Sequence, residues 1–167
     1  MLRTLTLALI LAAPSAAMAQ STAAPPPAAC TSAEHRQFDF WVGRWQVSPT
    51  GRDRVVAESL IEKVYNGCGV RENWMPKNRQ DGGSLNIYLP DERAWRQTWI
   101  DSSGTRADFT GGWNGRTMVL TGKWGGPITR MTYTPNPDGS VRQAGEQSTD
   151  GGKTWTPSFD FTYRKAP

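Results

Sequence analysis

The sequence predicts an all-β chain: a single antiparallel meander closed into a barrel of about eight to ten strands, with a short N-terminal helix. Two observations carry this. From residue 44 onward, short runs of alternating apolar and polar residues are separated by Asn-Gly, Asp-Gly and Gly-Gly-Pro turn signals. Such turns between alternating segments are the strongest local mark of β-hairpins, and their regular spacing favours a closed meander over a sheet with long crossovers. The last strand also shows a clean period of two, with Trp155, Phe159, Phe161 and Tyr163 on one face and Thr154, Thr156, Ser158, Asp160 and Thr162 on the other.

The elements follow in chain order. Arg3 precedes an apolar run, Leu5 to Ala13, that is too short to span a bilayer, and Ala17-Met18-Ala19 offers small residues at a signal-peptidase site. Residues 1–19 are therefore read as a secretory signal cleaved after Ala19. No other stretch is apolar enough to be a transmembrane segment. Residues 20–29 (QSTAAPPPAA) have little to bury and are expected to form a mobile Pro/Ala-rich spacer, which leaves 30–167 as one domain. Residues 36–42 suit one helical turn or two. Residues 54–65 could be an amphipathic helix, since Val56, Leu60 and Val64 recur every fourth residue, but their β-branched content and the following Asn66-Gly67 favour a strand. Later strands are expected in LNIYL, AWRQTWI, TRADFTGGW, RTMVLTGKW, ITRMTYT and SVRQAGEQS. In these, Trp95 faces with Trp99, Met118 with Leu120, and Met131 with Tyr133. Pro157, which cannot donate to a ladder, marks a bulge or an edge in the last strand.

Charge and cysteine content narrow the function. Cleavage after Ala19 would lower the formal charge from +4 to +3, because Arg3 is lost and no acidic residue is. The basic residues are scattered beside acidic ones (Arg52 and Arg54 around Asp53, Arg93 beside Glu92), which suits solubility and not a nucleic-acid surface. Cys30 and Cys68 have no flanking ligand cluster, so one structural disulfide is favoured over a reactive thiol or a metal pair. Lipidation of Cys30 is disfavoured, because Pro27-Ala28-Ala29 does not supply the Leu or Val expected before such a cysteine.

A catalytic set is hard to assemble. His35, the single histidine, is read as a surface residue near the N-terminal end of the domain. It is the sole candidate base for a Ser or Cys nucleophile, and it is too little for a zinc site; haem ligation would rest on it alone. No cofactor or metal is predicted. Among carboxylates, Glu58, Glu62 and Glu72 fall in strands, and a glycosidase-like site would need two of them facing each other. If Val70 and Trp74 point inward, alternation sends Glu72 inward too, where it must pair with Arg71 or Arg96 or meet a ligand. Eight tryptophans are many for this length and are expected mainly to pack the core.

Ser148 to Trp155 (STDGGKTW) resembles the Asp-box of sialidases and related propellers. Those folds carry several copies on a much longer chain, whereas this sequence has one, so the string is read as the hairpin joining the last two strands. Asp150 would accept the turn's amides and Trp155 would pack beneath.

Gly43-Arg44-Trp45 within FDFWVGRW is similar to the Gly-x-Trp motif that opens the first strand of lipocalins and the wider calycin group. That resemblance implies a helix plugging one barrel end, Trp45 packed in the base, and Arg164 at the end of FTYR stacked on it. The chain from Cys30 through FDFW-x-G-x-W, GC-x-x-x-ENW (Glu72, Asn73, Trp74), QTW (Gln97, Thr98, Trp99) and EQSTDGGKTW also resembles a family of exported bacterial proteins to which no activity attaches. The resulting expectation is a non-catalytic, periplasmic or secreted barrel holding a small, largely apolar molecule. Trp74, Tyr88, Trp99, Met118, Met131 and Phe159 would line the cavity, with Glu72 and Gln97 as polar handles. The alternatives are a carboxylate-dependent hydrolase of a carbohydrate or ester, pairing Glu72 with Glu58 or Glu62, and an interaction module whose barrel is filled by its own side chains.

Overall fold

The computed structural model describes residues 30–78 and 80–167. The predicted signal and spacer lie outside the described residues. Two 3-10 turns, Glu34–Arg36 and Asp39–Trp41, precede ten strands. These are β1 (Gly43–Pro49), β2 (Ala57–Val64), β3 (Gly69–Pro76), β4 (Gly82–Leu89), β5 (Ala94–Asp101), β6 (Arg106–Trp113), β7 (Met118–Lys123), β8 (Ile128–Pro135), β9 (Val141–Ser148) and β10 (Thr156–Lys165). Each strand pairs antiparallel with the next, and β1 pairs with β10, so the meander closes into a ten-stranded lipocalin-like barrel. Closure leaves no unpaired sheet edge among these strands. Residues 57–64 are strand, as their β-branched content predicts.

The two 3-10 turns plug one end of the barrel. Phe38, Trp41 and Trp45 are fully buried there with Trp95 and Tyr133. Phe38 stacks on Trp41 at 4.9 Å between centroids and meets Trp95 and Tyr133 edge-on at 5.5 and 5.1 Å. Aromatic pairs in such geometries are worth about 0.5–1.5 kcal/mol each beyond the area they bury. The Trp45 indole donates to the Trp41 carbonyl at 2.8 Å. The Lys63 ammonium bridges the His35 carbonyl and the Asp39 carboxylate. The Cys30–Cys68 disulfide ties the segment before the plug to the β2–β3 connection. That connection turns through Tyr65 and Asn66, both at positive φ, of which Asn is among the more tolerant residue types.

Three expectations are corrected, two of them at this end. His35 is not a surface residue: it is buried in the plug, its ring edge-on to Tyr88 and its Nδ1 2.9 Å from the Ser32 hydroxyl. The cation over Trp45 is Lys165 and not Arg164. Lys165 is the register partner of Trp45, holds its ammonium 3.9 Å from the ring centroid and donates to the Val42 carbonyl, whereas Arg164 pairs with Gln46 and is exposed. A one-residue difference changes the face, because successive side chains alternate. At the start of β10 the register shifts between Pro157 and Phe159. This bulge removes Trp155 from the face of Phe159, Phe161 and Tyr163. Trp155 lies half-buried under the Arg130 guanidinium, on the opposite side of β8 from the buried Thr129 and Met131.

Candidate ligand chamber

Inward-facing residues of strands β3 to β10 fill the plugged end but leave a chamber of about 850 Å³ toward the other end. Its walls are Trp74, Trp99, Phe109, Trp124, Phe159 and Phe161, and its floor is Glu72, Gln97, Met131, Tyr133, Gln143 and Tyr163. Arg54, Lys77, Asn78 and Gln80 stand exposed at the mouth, on the β1–β2 and β3–β4 connections. Gly145 in β9 makes room for one wall residue: a Cβ there would lie 2.2 Å from the Phe159 ring, which occupies that space.

The floor is a closed ring of hydrogen bonds. Ser59 and Ser84 donate to the two oxygens of Glu72 at 3.0 and 3.2 Å. Asn86 donates to Ser84 and to the Val70 carbonyl, and Gln97 donates to Asn86 at 2.7 Å and to the Tyr133 hydroxyl at 3.2 Å. Gln143 also donates to Tyr133, at 3.0 Å. The Tyr163 hydroxyl donates to Gln143 at 2.6 Å and reaches back to Glu72 at 3.5 Å. Glu72, Asn86, Gln97, Gln143, Tyr133 and Tyr163 are all buried. Alternation explains the set: Glu72 faces Ser84 across the β3–β4 ladder, Asn86 faces Gln97 across β4–β5, and Tyr133 faces Gln143 across β8–β9.

Electrostatics single out Glu72. Burial pushes its carboxyl up to about 7, against the opposing pull of hydrogen bonds from Ser59, Ser84 and Tyr163. Burial, reinforced by the nearby Glu72 charge, raises both Tyr133 and Tyr163, so each is a neutral phenol at physiological pH. Among the described residues, no cation pairs with Glu72. Arg71, on the neighbouring outward position, pairs with Glu62, and Arg96 pairs with Glu92. The predicted alternatives of Arg71 or Arg96 as its partner are therefore corrected.

Six of the eight residues assigned from sequence to a ligand cavity meet here: Glu72, Trp74, Gln97, Trp99, Met131 and Phe159. Tyr88 and Met118 do not. Both stand at the plugged end, where Tyr88 packs on His35 and Trp95 while Met118, opposite Tyr133, is fully buried. Alternation sorts inner from outer residues but says nothing of height along the barrel. The sequence reading missed Tyr133, Gln143, Tyr163, Phe109, Phe161 and Trp124 as lining residues. The signal was present for Tyr133 and Tyr163, which share a strand face with Met131 and Phe159.

Two further assignments are settled by geometry. Glu58 and Glu62 pair with Arg44 and Arg71 on the outer surface, so neither faces Glu72, and the expected pair of facing carboxylates is absent. The Ser148–Trp155 string forms the β9–β10 hairpin, well away from the floor. Asp150 accepts from the Thr154 hydroxyl and amide, from Ser148 and from the Lys153 amide, and these bonds hold its carboxyl well below the usual range. The Trp155 indole donates to the Gly152 carbonyl, closing the turn. Among the described residues, no group of three or more His, Cys, Asp or Glu side chains comes together as a metal site. No protein-family model matches the chain, and no curated protein matches it.

Proposed function

We propose that this chain is an exported, non-catalytic binding protein that holds a small, largely apolar molecule inside its barrel. The observation that carries the reading is the chamber itself. Its volume, about 850 Å³, falls within the range of small-molecule sites, and its aromatic walls end on a few convergent polar groups. A barrel serving only as an interaction module has no use for an unfilled interior, since unfilled volume costs contacts. A hydrolase of the two-carboxylate kind loses its support because Glu72 has no second carboxylate facing it.

Export is supported by the N-terminal Arg3-to-Ala19 segment and by the Cys30–Cys68 disulfide, a bond that persists in oxidising compartments. The pattern running from FDFW-x-G-x-W to EQSTDGGKTW would then mark an exported bacterial family of such barrels. Trp74, Trp99, Met131 and Phe159 are proposed to embrace the apolar body of the ligand, with Glu72 and Gln97 orienting its polar end.

Two measurements test this. Native mass spectrometry of the protein taken from the exported fraction of its own cells should show an adduct of a few hundred daltons. Titration with the neutral fluorophore N-phenyl-1-naphthylamine should give saturable one-to-one enhancement. An unadorned mass together with unsaturable fluorescence would overturn the proposal.

A further inference from the structure

Among the described residues, Glu72 is the one charged side chain in the buried part of the chamber. Among the other charged residues that line it, Arg54 and Lys77 are exposed at the mouth, and Asp101 is engaged by Ser103 and Thr105 of its own turn. The groups facing its carboxyl come from every neighbouring wall: Ser59 of β2, Ser84 of β4 and Tyr163 of β10, with Tyr133 of β8 across the floor. All are neutral hydroxyls. Ser59 and Ser84 each donate to one of its oxygens, the Tyr163 hydroxyl, whose proton goes to Gln143, stands 3.5 Å from its Oε1, and the donor chain from Asn86 through Ser84 runs toward its Oε2. Such an arrangement converges donors on an anion but supplies no opposite charge.

A buried carboxylate without a cation costs several kcal/mol, and each of its oxygens has a second lone pair to offer. The aromatic faces next to it complete the picture. Trp74 follows Glu72 by two residues on the same inner face, within 6.4 Å of the Tyr163 ring and 5.8 Å of the Phe161 ring. An ammonium gains from both a carboxylate and desolvated π faces, whereas an anion is repelled by both. We infer that the polar end of the ligand is a protonated amine, inserted head-first so that its N–H groups donate to Glu72 while its apolar body lies between the chamber walls. The mouth cations do not oppose this, since solvent screens exposed charges over a distance of about 8–10 Å.

The inference rests on the binding function proposed above and deepens it by naming the ligand class. Three probes of one shape separate the two: 2-(1-naphthyl)ethylamine, 2-(1-naphthyl)ethanol and 3-(1-naphthyl)propionate, titrated by quenching of tryptophan fluorescence at pH 8. The amine should bind at least about tenfold more tightly than the alcohol, equivalent to about 1.4 kcal/mol, and the propionate most weakly. In Glu72→Gln the amine's advantage over the alcohol should vanish. Saturable binding of N-phenyl-1-naphthylamine then reports that the chamber of the variant is intact. Lowering the pH from 8 to 6 protonates Glu72 and should shrink the amine's advantage over the alcohol in the parent protein.

Equal binding of amine and alcohol, preference for the propionate, or an amine preference that survives Glu72→Gln overturns the ammonium assignment and leaves the binding function standing. Failure of all three probes, with N-phenyl-1-naphthylamine also unbound, overturns both.

Discussion

Glu72 shows how one buried residue trades stability for chemistry. Its carboxyl is raised from an ordinary value of 4.5 to about 7, so the folded protein binds a proton that the unfolded chain has released. The stability that this proton linkage supplies is complete below about pH 4.5 and is lost as pH rises through 7. A shift of this size corresponds to about 3 kcal/mol. Glu72→Gln keeps the shape and carries no charge at any pH. The variant is therefore expected to be more stable than the parent at pH 8, by up to about 3 kcal/mol, with the advantage shrinking toward zero near pH 5. Urea denaturation of both proteins at the two pH values checks this, and a difference independent of pH would contradict it. Under the binding role proposed above, a ligand held in the chamber would offset this cost at neutral pH.

The plug is the element on which the closed end depends. Two single-turn 3-10 segments cannot hold themselves, since they make few backbone bonds and expose both ends. They are held by Phe38 and Trp41 in the aromatic core, by Lys63 on Asp39 and the His35 carbonyl, and by the disulfide. The cysteines are separated by 38 residues, so their bond should stabilise the fold by roughly 3–4 kcal/mol on the chain-entropy account. Replacing both with Ser should lower the unfolding free energy by that amount in chemical denaturation. It should also release amide protection at residues 34–41 before any strand opens. Loss of protection spread evenly over the barrel would show that the disulfide supports the whole sheet and not the plug. The β9–β10 hairpin illustrates the opposite case, because Ser148, Asp150, Gly152, Thr154 and Trp155 satisfy one another within eight residues. That element is written locally, and its sequence string could be read as a turn without knowledge of the rest.

At the scale of the molecule, closure joins the first strand to the last. Trp45 pairs with Lys165 and Pro49 with Phe161, so the barrel exists only when nearly the whole domain is in place. Contacts this distant in sequence slow folding, because the loop entropy is spent before the contact forms. With the disulfide intact, refolding followed by stopped-flow tryptophan fluorescence is expected to fall in the range of milliseconds to seconds. A microsecond phase carrying all of the amplitude would be inconsistent with closure as the limiting event. The chamber is likewise a property of the whole: its lining residues come from the β1–β2 connection and from strands spread from β3 to β10, and no two adjacent strands could enclose it.

What the sequence determined alone was whatever depends on neighbours along the chain. The strands and their turns follow from alternation and from Asn-Gly or Asp-Gly signals, and the inward aim of Glu72 follows from Val70 and Trp74. The Pro157 bulge and the Ser148–Trp155 hairpin are local in the same way. The tertiary structure decided height and partnership. It set Tyr88 and Met118 beside the plug and not in the chamber, put Lys165 in place of Arg164 over Trp45, and sent Glu58 and Glu62 outward to arginines. It also brought Ser59, Ser84 and Tyr163 onto one carboxyl from three strands. The reason is geometric. A period of two assigns each side chain to a face, whereas its depth in the barrel and its partners across the interior depend on register and closure, which involve every strand at once.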